Sequence, residues 1–187
     1  MQIMRIVSGK FGGRKLIVPE GRDIRPTSDK IRGSVFNILR SRGAVEGANA
    51  LDICCGTGAL GLEALSQGAQ FCAFIDNNRE SVELCKANIA ALGIKEEAFT
   101  MIKDATKLTA WPAALAQSNL VFIDPPYRKD LIKPILDTLF AQDWLEEGAL
   151  CVLEAEKQWQ TTLPPQYKLQ DERDYGDTKI VLATYQP

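Results

Sequence analysis

The chain has 187 residues, 45% of them hydrophobic, which is the length and apolar content of one globular domain with at most a small appendage. Its 22 basic and 24 acidic residues leave a net charge of −2, and the lack of any histidine excludes serine–histidine hydrolases, imidazole bases and histidine-ligated metal centres. Five cysteines without a C-x-x-C pair read as buried thiols of a reducing compartment, so no metal site is expected; no signal-peptide pattern and no membrane-length apolar stretch occur, and a cytoplasmic protein is expected.

The charge is distributed unevenly. Residues 1–42 carry ten basic side chains against three acidic ones, a local +7 that leaves −9 for the rest. A polyanion would meet this end first, because phosphate contacts supply most of the non-specific affinity of nucleic-acid binders. Arg5, Lys10, Arg14, Lys15, Arg25, Lys30 and Arg32 are the candidate contacts, and a merely solvated basic face is the alternative reading. Within this segment, residues 5–18 alternate short apolar runs around glycines, as a small hairpin or two short strands would, ended by Pro19 and Gly21. Arg25-Pro-Thr-Ser28 predicts a helix capped by Thr27 or Ser28, with Ile31, Val35, Ile38 and Leu39 along one stripe and a stop at Arg42-Gly43. The chain thus divides into a basic N-terminal hairpin and helix, 1–43, and a core, 44–187.

From Ala48 the pattern changes to short apolar runs separated by helical segments. Strands are predicted at 50–54, 71–76, 99–103, 120–124 and 149–154, with helices at 59–67, 79–92 and 129–140 and a weaker one at 106–116. That alternation predicts an α/β fold, a mostly parallel sheet with helices on its faces. After Pro164-Pro165, residues 167–185 read as a terminal antiparallel hairpin turning near Tyr175-Gly-Asp177.

Two constellations carry chemistry. In Leu51-Asp-Ile-Cys-Cys-Gly-Thr-Gly-Ala-Leu-Gly61 a strand runs into a glycine-rich turn and a helix, where backbone passes close to a ligand and free amides await it. The literal G-x-G-x-x-G, with Asp76 at the spacing of a ribose-binding acid, also fits a dinucleotide, and a turn for tight strand–helix packing is a third reading. Asp52, four residues before Gly56, favours a ligand bearing a cationic amino group. The second constellation, Leu120-Val-Phe-Ile-Asp-Pro-Pro-Tyr127, ends an apolar strand in D-P-P-Y, which belongs beside the glycine turn if both strands end at the same edge of the sheet. Successive prolines hold carbonyl acceptors rigidly, Asp124 accepts a second hydrogen, and Tyr127 can stack on a base. An exocyclic amine, whose lone pair is delocalised into its ring, becomes nucleophilic when hydrogen bonds pull it toward tetrahedral geometry. D-P-P-Y alone also reads as a proline-stiffened turn. No cysteine lies near Asp124, which disfavours carbon methylation through a thiolate.

Taken together, Arg5-Ile-Val-Ser-Gly, Gly13-Arg-Lys-Leu16, Arg25-Pro-Thr, Asp29-Lys-Ile-Arg32, Phe36-Asn37, Gly56-Thr-Gly-Ala-Leu-Gly-Leu-Glu-Ala64 and Asp124-Pro-Pro-Tyr127 resemble, in order along nearly the whole chain, the bacterial ribosomal RNA small subunit methyltransferase D family. The resemblance implies a Rossmann-like class I methyltransferase fold with a seven-stranded, mostly parallel sheet and a C-terminal antiparallel hairpin. It implies transfer of a methyl group from S-adenosylmethionine, leaving S-adenosylhomocysteine, to the N2 amine of a guanine in 16S ribosomal RNA, in the small subunit or a late assembly intermediate. A monomer without membrane contact is expected. By position, Asp52 and Cys55, Gly56, Thr57 and Gly58 are implied to hold the methionine moiety, Asp76 and Asn77 the ribose, Asp104 and Ala105 the adenine edge, and Asp124, Pro125, Pro126 and Tyr127 the target amine. Two departures stand out: Gly33 where the family usually has glutamate, and Ile53-Cys54 where an aliphatic–aromatic pair is usual. Competing readings are an adenine-N6 or cytosine-N4 DNA methyltransferase, a non-catalytic ribosome-assembly factor and, weakest, a nicotinamide dehydrogenase.

Overall fold

The computed structural model describes residues 4–19, 29–127 and 129–187. Arg25 and the Thr27/Ser28 cap lie outside the described residues. The first helix, α1 (Asp29–Ser41), buries Arg32, Val35, Phe36 and Leu39. It is followed by β1 (Asn49–Ile53), α2 (Ala59–Ser66), β2 (Phe71–Asp76), α3 (Arg79–Leu92), β3 (Ala98–Ile102), β4 (Ser118–Ile123), α4 (Ile132–Ala141), β5 (Leu145–Glu156), β6 (Tyr167–Tyr175) and β7 (Thr178–Tyr185).

Local chemistry sets these boundaries. Asn78 caps α3 by accepting from the amides of Glu80 and Ser81, and Gly93 ends it at φ 73°, where a side chain would strain. Nearly every side chain of α2 is buried, so this helix owes its place to packing rather than to an amphipathic stripe. The helix expected at 106–116 does not form. Asp104 instead accepts from the amide and hydroxyl of Thr106, closing a single 3₁₀ turn over Ala105–Lys107, and Pro112 lacks the donor a continuing helix needs. In α4 the first turn begins at Ile132, later than the apolar pattern suggests, because Asp130 takes a left-handed φ of 48°.

The sheet order is β3-β2-β1-β4-β5-β7-β6. Strands β1 to β5 pair in parallel, β7 runs antiparallel to β5, and β6 is antiparallel to β7. One face of the sheet is covered by α1, α2 and α3, and the other by α4 with Trp144 and Leu108. Chain order reverses between β1 and β4, and the crevice outside their carboxyl ends is where such sheets bind ligands.

The N-terminal segment forms a narrow loop rather than a two-stranded ladder, with a lone bridge between Arg5 and Lys15 flanked by Ile6 N to Arg14 O (2.9 Å) and Leu16 N to Met4 O (2.9 Å). The amides of Val7, Ser8, Lys10, Phe11 and Ile17 are instead satisfied by the core. Glu63 accepts from Val7 N (2.7 Å) and Ser8 N (2.9 Å), while Asn88 accepts from Ile17 N (2.7 Å) and donates to Ile17 O (3.1 Å). Met4, Ile6 and Leu16 join Phe36, Leu39, Leu62 and Phe122 in one apolar cluster, where Phe36 stacks on Phe122 at 5.5 Å.

Candidate active site

A cleft of about 490 Å³ opens at the carboxyl ends of β1, β2, β4 and β5. It brings Asp76 and Asn77 together with Asp124, Pro125, Pro126 and Tyr127, two groups of expected site residues that lie almost fifty positions apart. The link between turn and strand is direct. Asp76 accepts from Gly56 N (2.9 Å) through one carboxylate oxygen and from Asn78 N (2.8 Å) through the other, so the glycine turn is pinned to the end of β2. Gly56 has φ +54°, and a Cβ built there meets nothing within 4 Å, so the turn is open on that side.

The rest of the turn faces the protein. Asp52 was expected at a cationic group of the ligand; it is only 1% exposed, and its carboxylate accepts from Gly61 N at 2.8 Å, taking one of the free donors in the first turn of α2. Burial pushes the Asp52 carboxyl up to about 8, with the neighbouring Asp76 charge adding to the shift against the Gly61 hydrogen bond. Thr57 is likewise buried, its hydroxyl donating to Met4 Sδ at 3.4 Å and its carbonyl accepting from Asn88 at 3.0 Å. At Gly58 (φ +81°) a Cβ would meet Cys85 Sγ at 2.7 Å, and Cys55 packs behind the turn in the same cluster. Ala105 is buried. Asp104, at the end of β3, is held below the usual carboxylate range by the hydroxyl and amide of Thr106, and neither residue lines the cleft.

Cys54, which the sequence places in the turn, lines the cleft, and Asn78, Ser81, Lys129, Leu131 and Glu154, which sequence reasoning missed, complete the walls. Cys54 sits at φ 59° between strand and turn. Burial pushes its thiol up to about 12, reinforced by Asp76, Asp124, Asp52 and Asp104, so it is held neutral and cannot serve as a nucleophile. Glu154 is 6% exposed, and its Oε1 lies 3.4 Å from the Tyr127 hydroxyl, which also shares a hydrogen with Thr178 Oγ1 at 3.0 Å. One signal for Glu154 was present: it is the charged residue that ends an apolar strand beside the one ending in Asp124.

Among the basic candidates, Arg14, Lys15 and Lys30 are exposed, and Arg5 is exposed while paired with Asp29 at 3.2 Å. Lys10 pairs with Glu97 at 2.8 Å, just before β3 and hence at the opposite end of the sheet from the cleft. Arg32 is a correction. It is fully buried, bonded through Nε to Glu63 (3.2 Å) and through Nη2 to both Asp29 and the Arg5 carbonyl, so it braces α1 and cannot touch RNA. At Gly33 a Cβ would meet only Val7 Cγ1 at 3.5 Å, an ordinary contact, so nothing here demands glycine.

The family model described as Conserved hypothetical protein 95 matches residues 4–184. Ribosomal RNA small subunit methyltransferase D of Escherichia coli (strain K12) is 32% identical over 184 residues, covering 98% of this chain and 89% of that protein. The solved structure of yhhF from Escherichia coli superposes with a TM-score of 0.82 at 33% identity, covering 99% of each chain. Magnesium protoporphyrin IX methyltransferase of Synechocystis PCC 6803, solved with bound SAM, shares the fold at a TM-score of 0.61 and 16% identity, over 84% of this chain and 79% of that one.

Proposed function

The chain belongs to the ribosomal RNA small subunit methyltransferase D family, and on that premise we propose that it methylates the N2 amine of a guanine in 16S ribosomal RNA. It is an S-adenosylmethionine-dependent rRNA methyltransferase. Its substrate is taken to be the small subunit or a late assembly intermediate, met by a cytoplasmic monomer. The observation that carries the reading is the single cleft in which Asp76, tied to the glycine turn, faces the Asp124-Pro-Pro-Tyr127 loop.

These residues fit the cofactor. A carboxylate offers about four lone-pair sites, and the amides of Gly56 and Asn78 occupy two on Asp76, which leaves two for ribose hydroxyls beside Asn77. The open side of Gly56 gives the methionine moiety room against backbone. Asp104 and Ala105 would bound the adenine edge. When bound, S-adenosylmethionine supplies a methyl group on a positively charged sulfur.

The protein's part is to hold the amine. Asp124 and the Pro125 carbonyl accept its two hydrogens, drawing the nitrogen toward tetrahedral geometry, and the proton lost on methylation leaves toward the Asp124 carboxylate. Tyr127 stacks on the base while its hydroxyl stays anchored on Thr178 and Glu154. Each charge-assisted hydrogen bond contributes about 1.5 to 3 kcal/mol, whereas alignment of reacting groups supplies roughly 7 to 11 kcal/mol. Positioning therefore dominates, and the neutral Cys54 thiol has no covalent role. The exposed Arg5, Arg14, Lys15 and Lys30 are proposed as RNA contacts, with Lys10 and Arg25 completing the basic segment.

The test is transfer of labelled methyl groups to under-methylated small subunits, naked 16S RNA and duplex DNA in parallel, with nucleoside mass spectrometry of the products. N2-methylguanosine from RNA is expected. Labelled DNA with unlabelled RNA would instead favour an adenine-N6 or cytosine-N4 DNA methyltransferase, and ribosome binding without any label an assembly factor. Asp124→Ala should bind S-adenosylmethionine normally and lose most turnover.

A further inference from the structure

We infer that Glu154 reads the identity of the target base, accepting the ring N1–H that guanine presents beside its 2-amino group. The inference rests on the guanine-N2 reading above and adds the residue that makes the site selective for that base.

Position is the first argument. Strands β4 and β5 are parallel neighbours in the register Ile123 to Leu153, so Asp124 and Glu154 are the next residues on adjacent strands, side by side where the sheet opens. Both line the same cleft together with Pro125, Pro126 and Tyr127. Glu154 is 6% exposed, so this carboxylate is held in the wall of the cleft rather than on the open surface. Its contact with the Tyr127 hydroxyl, 3.4 Å to Oε1, is long, and that hydroxyl has a closer partner in Thr178 at 3.0 Å. A carboxylate offers about four acceptor sites, so Glu154 can take a base hydrogen alongside the contacts it makes within the protein.

Chemistry supplies the second argument. Three nucleobases carry an exocyclic amine, and they differ in the ring atom beside it. The N2 amine of guanine adjoins N1–H, a donor. The N6 amine of adenine adjoins N1, and the N4 amine of cytosine adjoins N3, both of them lone-pair acceptors. With Asp124 on the amine, a carboxylate oxygen one strand away accepts from the guanine edge and opposes the lone pair that adenine or cytosine would bring there. A site built to bond a particular hydrogen rejects analogues lacking it far more strongly than a merely shaped pocket does. The same wall that anchors Tyr127 for stacking thus sets which amine is accepted.

The experiment compares kcat/KM for RNA carrying guanine or 2-aminopurine at the methylated position, introduced by ligation into 16S RNA and assembled into small subunits. 2-Aminopurine keeps the 2-amino group and replaces the N1–H with a lone pair. The wild-type enzyme should prefer guanine by at least about 100-fold. Glu154→Gln, whose amide can rotate to donate to that lone pair, should narrow the ratio tenfold or more while its affinity for S-adenosylmethionine stays at the wild-type value. Because the variant and the wild type meet the same loss of the 6-oxygen, the change in ratio isolates the contact at residue 154.

A wild-type ratio below tenfold would overturn the assignment without recourse to any variant. So would a Glu154→Gln enzyme that loses the same factor on both substrates, which is the signature of a purely structural role through Tyr127. Lack of N2-methylguanosine from the guanine-bearing subunits would overturn the underlying reading as well, whereas its presence with an unchanged ratio refutes Glu154 alone.

Discussion

Replacing Arg32 with methionine tests whether the N-terminal segment is held by a buried charge pair. Arg32 and Glu63 are both fully buried, with Nε and Oε2 3.2 Å apart. In Arg32→Met the Glu63 carboxylate loses its only countercharge among the described contacts but keeps the amides of Val7 and Ser8 and the Gln67 side chain at 2.6 Å. Stranding one member of a buried pair costs about 3 to 5 kcal/mol, and three surviving donors place this case at the lower end, about 3 kcal/mol. For a chain of this size that corresponds to a fall in Tm of roughly 6 to 12 °C. Urea unfolding followed by the fluorescence of the three tryptophans measures it. A loss below about 1 kcal/mol would refute the reasoning, because the pair would then be no stronger than a solvated one. Removing Glu63 as well should not restore stability, since the Val7 and Ser8 amides would be orphaned at about 1 to 3 kcal/mol each.

Other consequences are open to direct measurement. The Asp52 carboxyl is pushed up to about 8 from an ordinary 3.8, so the folded state holds a proton that the unfolded chain releases above pH 4; stability falls as pH rises from 4 to 8 and levels off beyond. Asp52→Asn keeps an oxygen for Gly61 N and should gain on the wild type by up to about 1.4 kcal/mol per pH unit across that window, and parallel urea midpoints from pH 4 to 8 would contradict the assignment. Gly61→Ala drives a Cβ to 2.4 Å from Phe74 Cε1 and 2.6 Å from Cys72 Sγ, and should destabilise by about 1 to 3 kcal/mol in the same unfolding assay; an unchanged midpoint would mean that the ring yields freely. With its thiol raised from 9.0 to about 12, Cys54 should react with iodoacetamide at pH 8 about a thousandfold more slowly than in the unfolded chain, and labelling within tenfold of the unfolded rate would show an accessible thiolate.

Much of this architecture was legible because local pattern and tertiary role agree. The strand at 71–76 and the helix at 79–92 match prediction to the residue, the latter because Asn78 and Gly93 are both punctuation and cap. Agreement fails where tertiary chemistry overrides composition. Residues 106–116 have helical composition, yet Asp104 and Pro112 draw the backbone into turns. Arg32 counts as a basic residue in any tally of charge, but its partner Glu63 lies 31 positions away and only the fold shows that the pair is internal. The candidate site divides in the same way. Asp76 and Asp124 to Tyr127 are read from contiguous motifs, whereas Glu154 and Thr178 reach Tyr127 only through the pairing of β5 with β4 and β7. The bond from Asp52 to the backbone of the helix that follows it, at Gly61 N, likewise shows only in the fold, because nothing in the motif itself separates a carboxylate that faces a ligand from one that caps a turn.

The manner in which the N-terminal segment is fastened limits how such enzymes can be recombined. A cassette exchange that moved only residues 1–43 between relatives would carry the basic arm without its sockets, which lie at Glu63, Ser66 and Asn88 of the recipient. Asn88 grips Ile17 and the carbonyl of Thr57 with the same side chain, so a mismatched graft would also slacken the turn beside the methyl donor. Chimaeras that alter RNA preference while keeping turnover therefore have to exchange the sockets together with the arm, and drift at either is coupled to drift at the other.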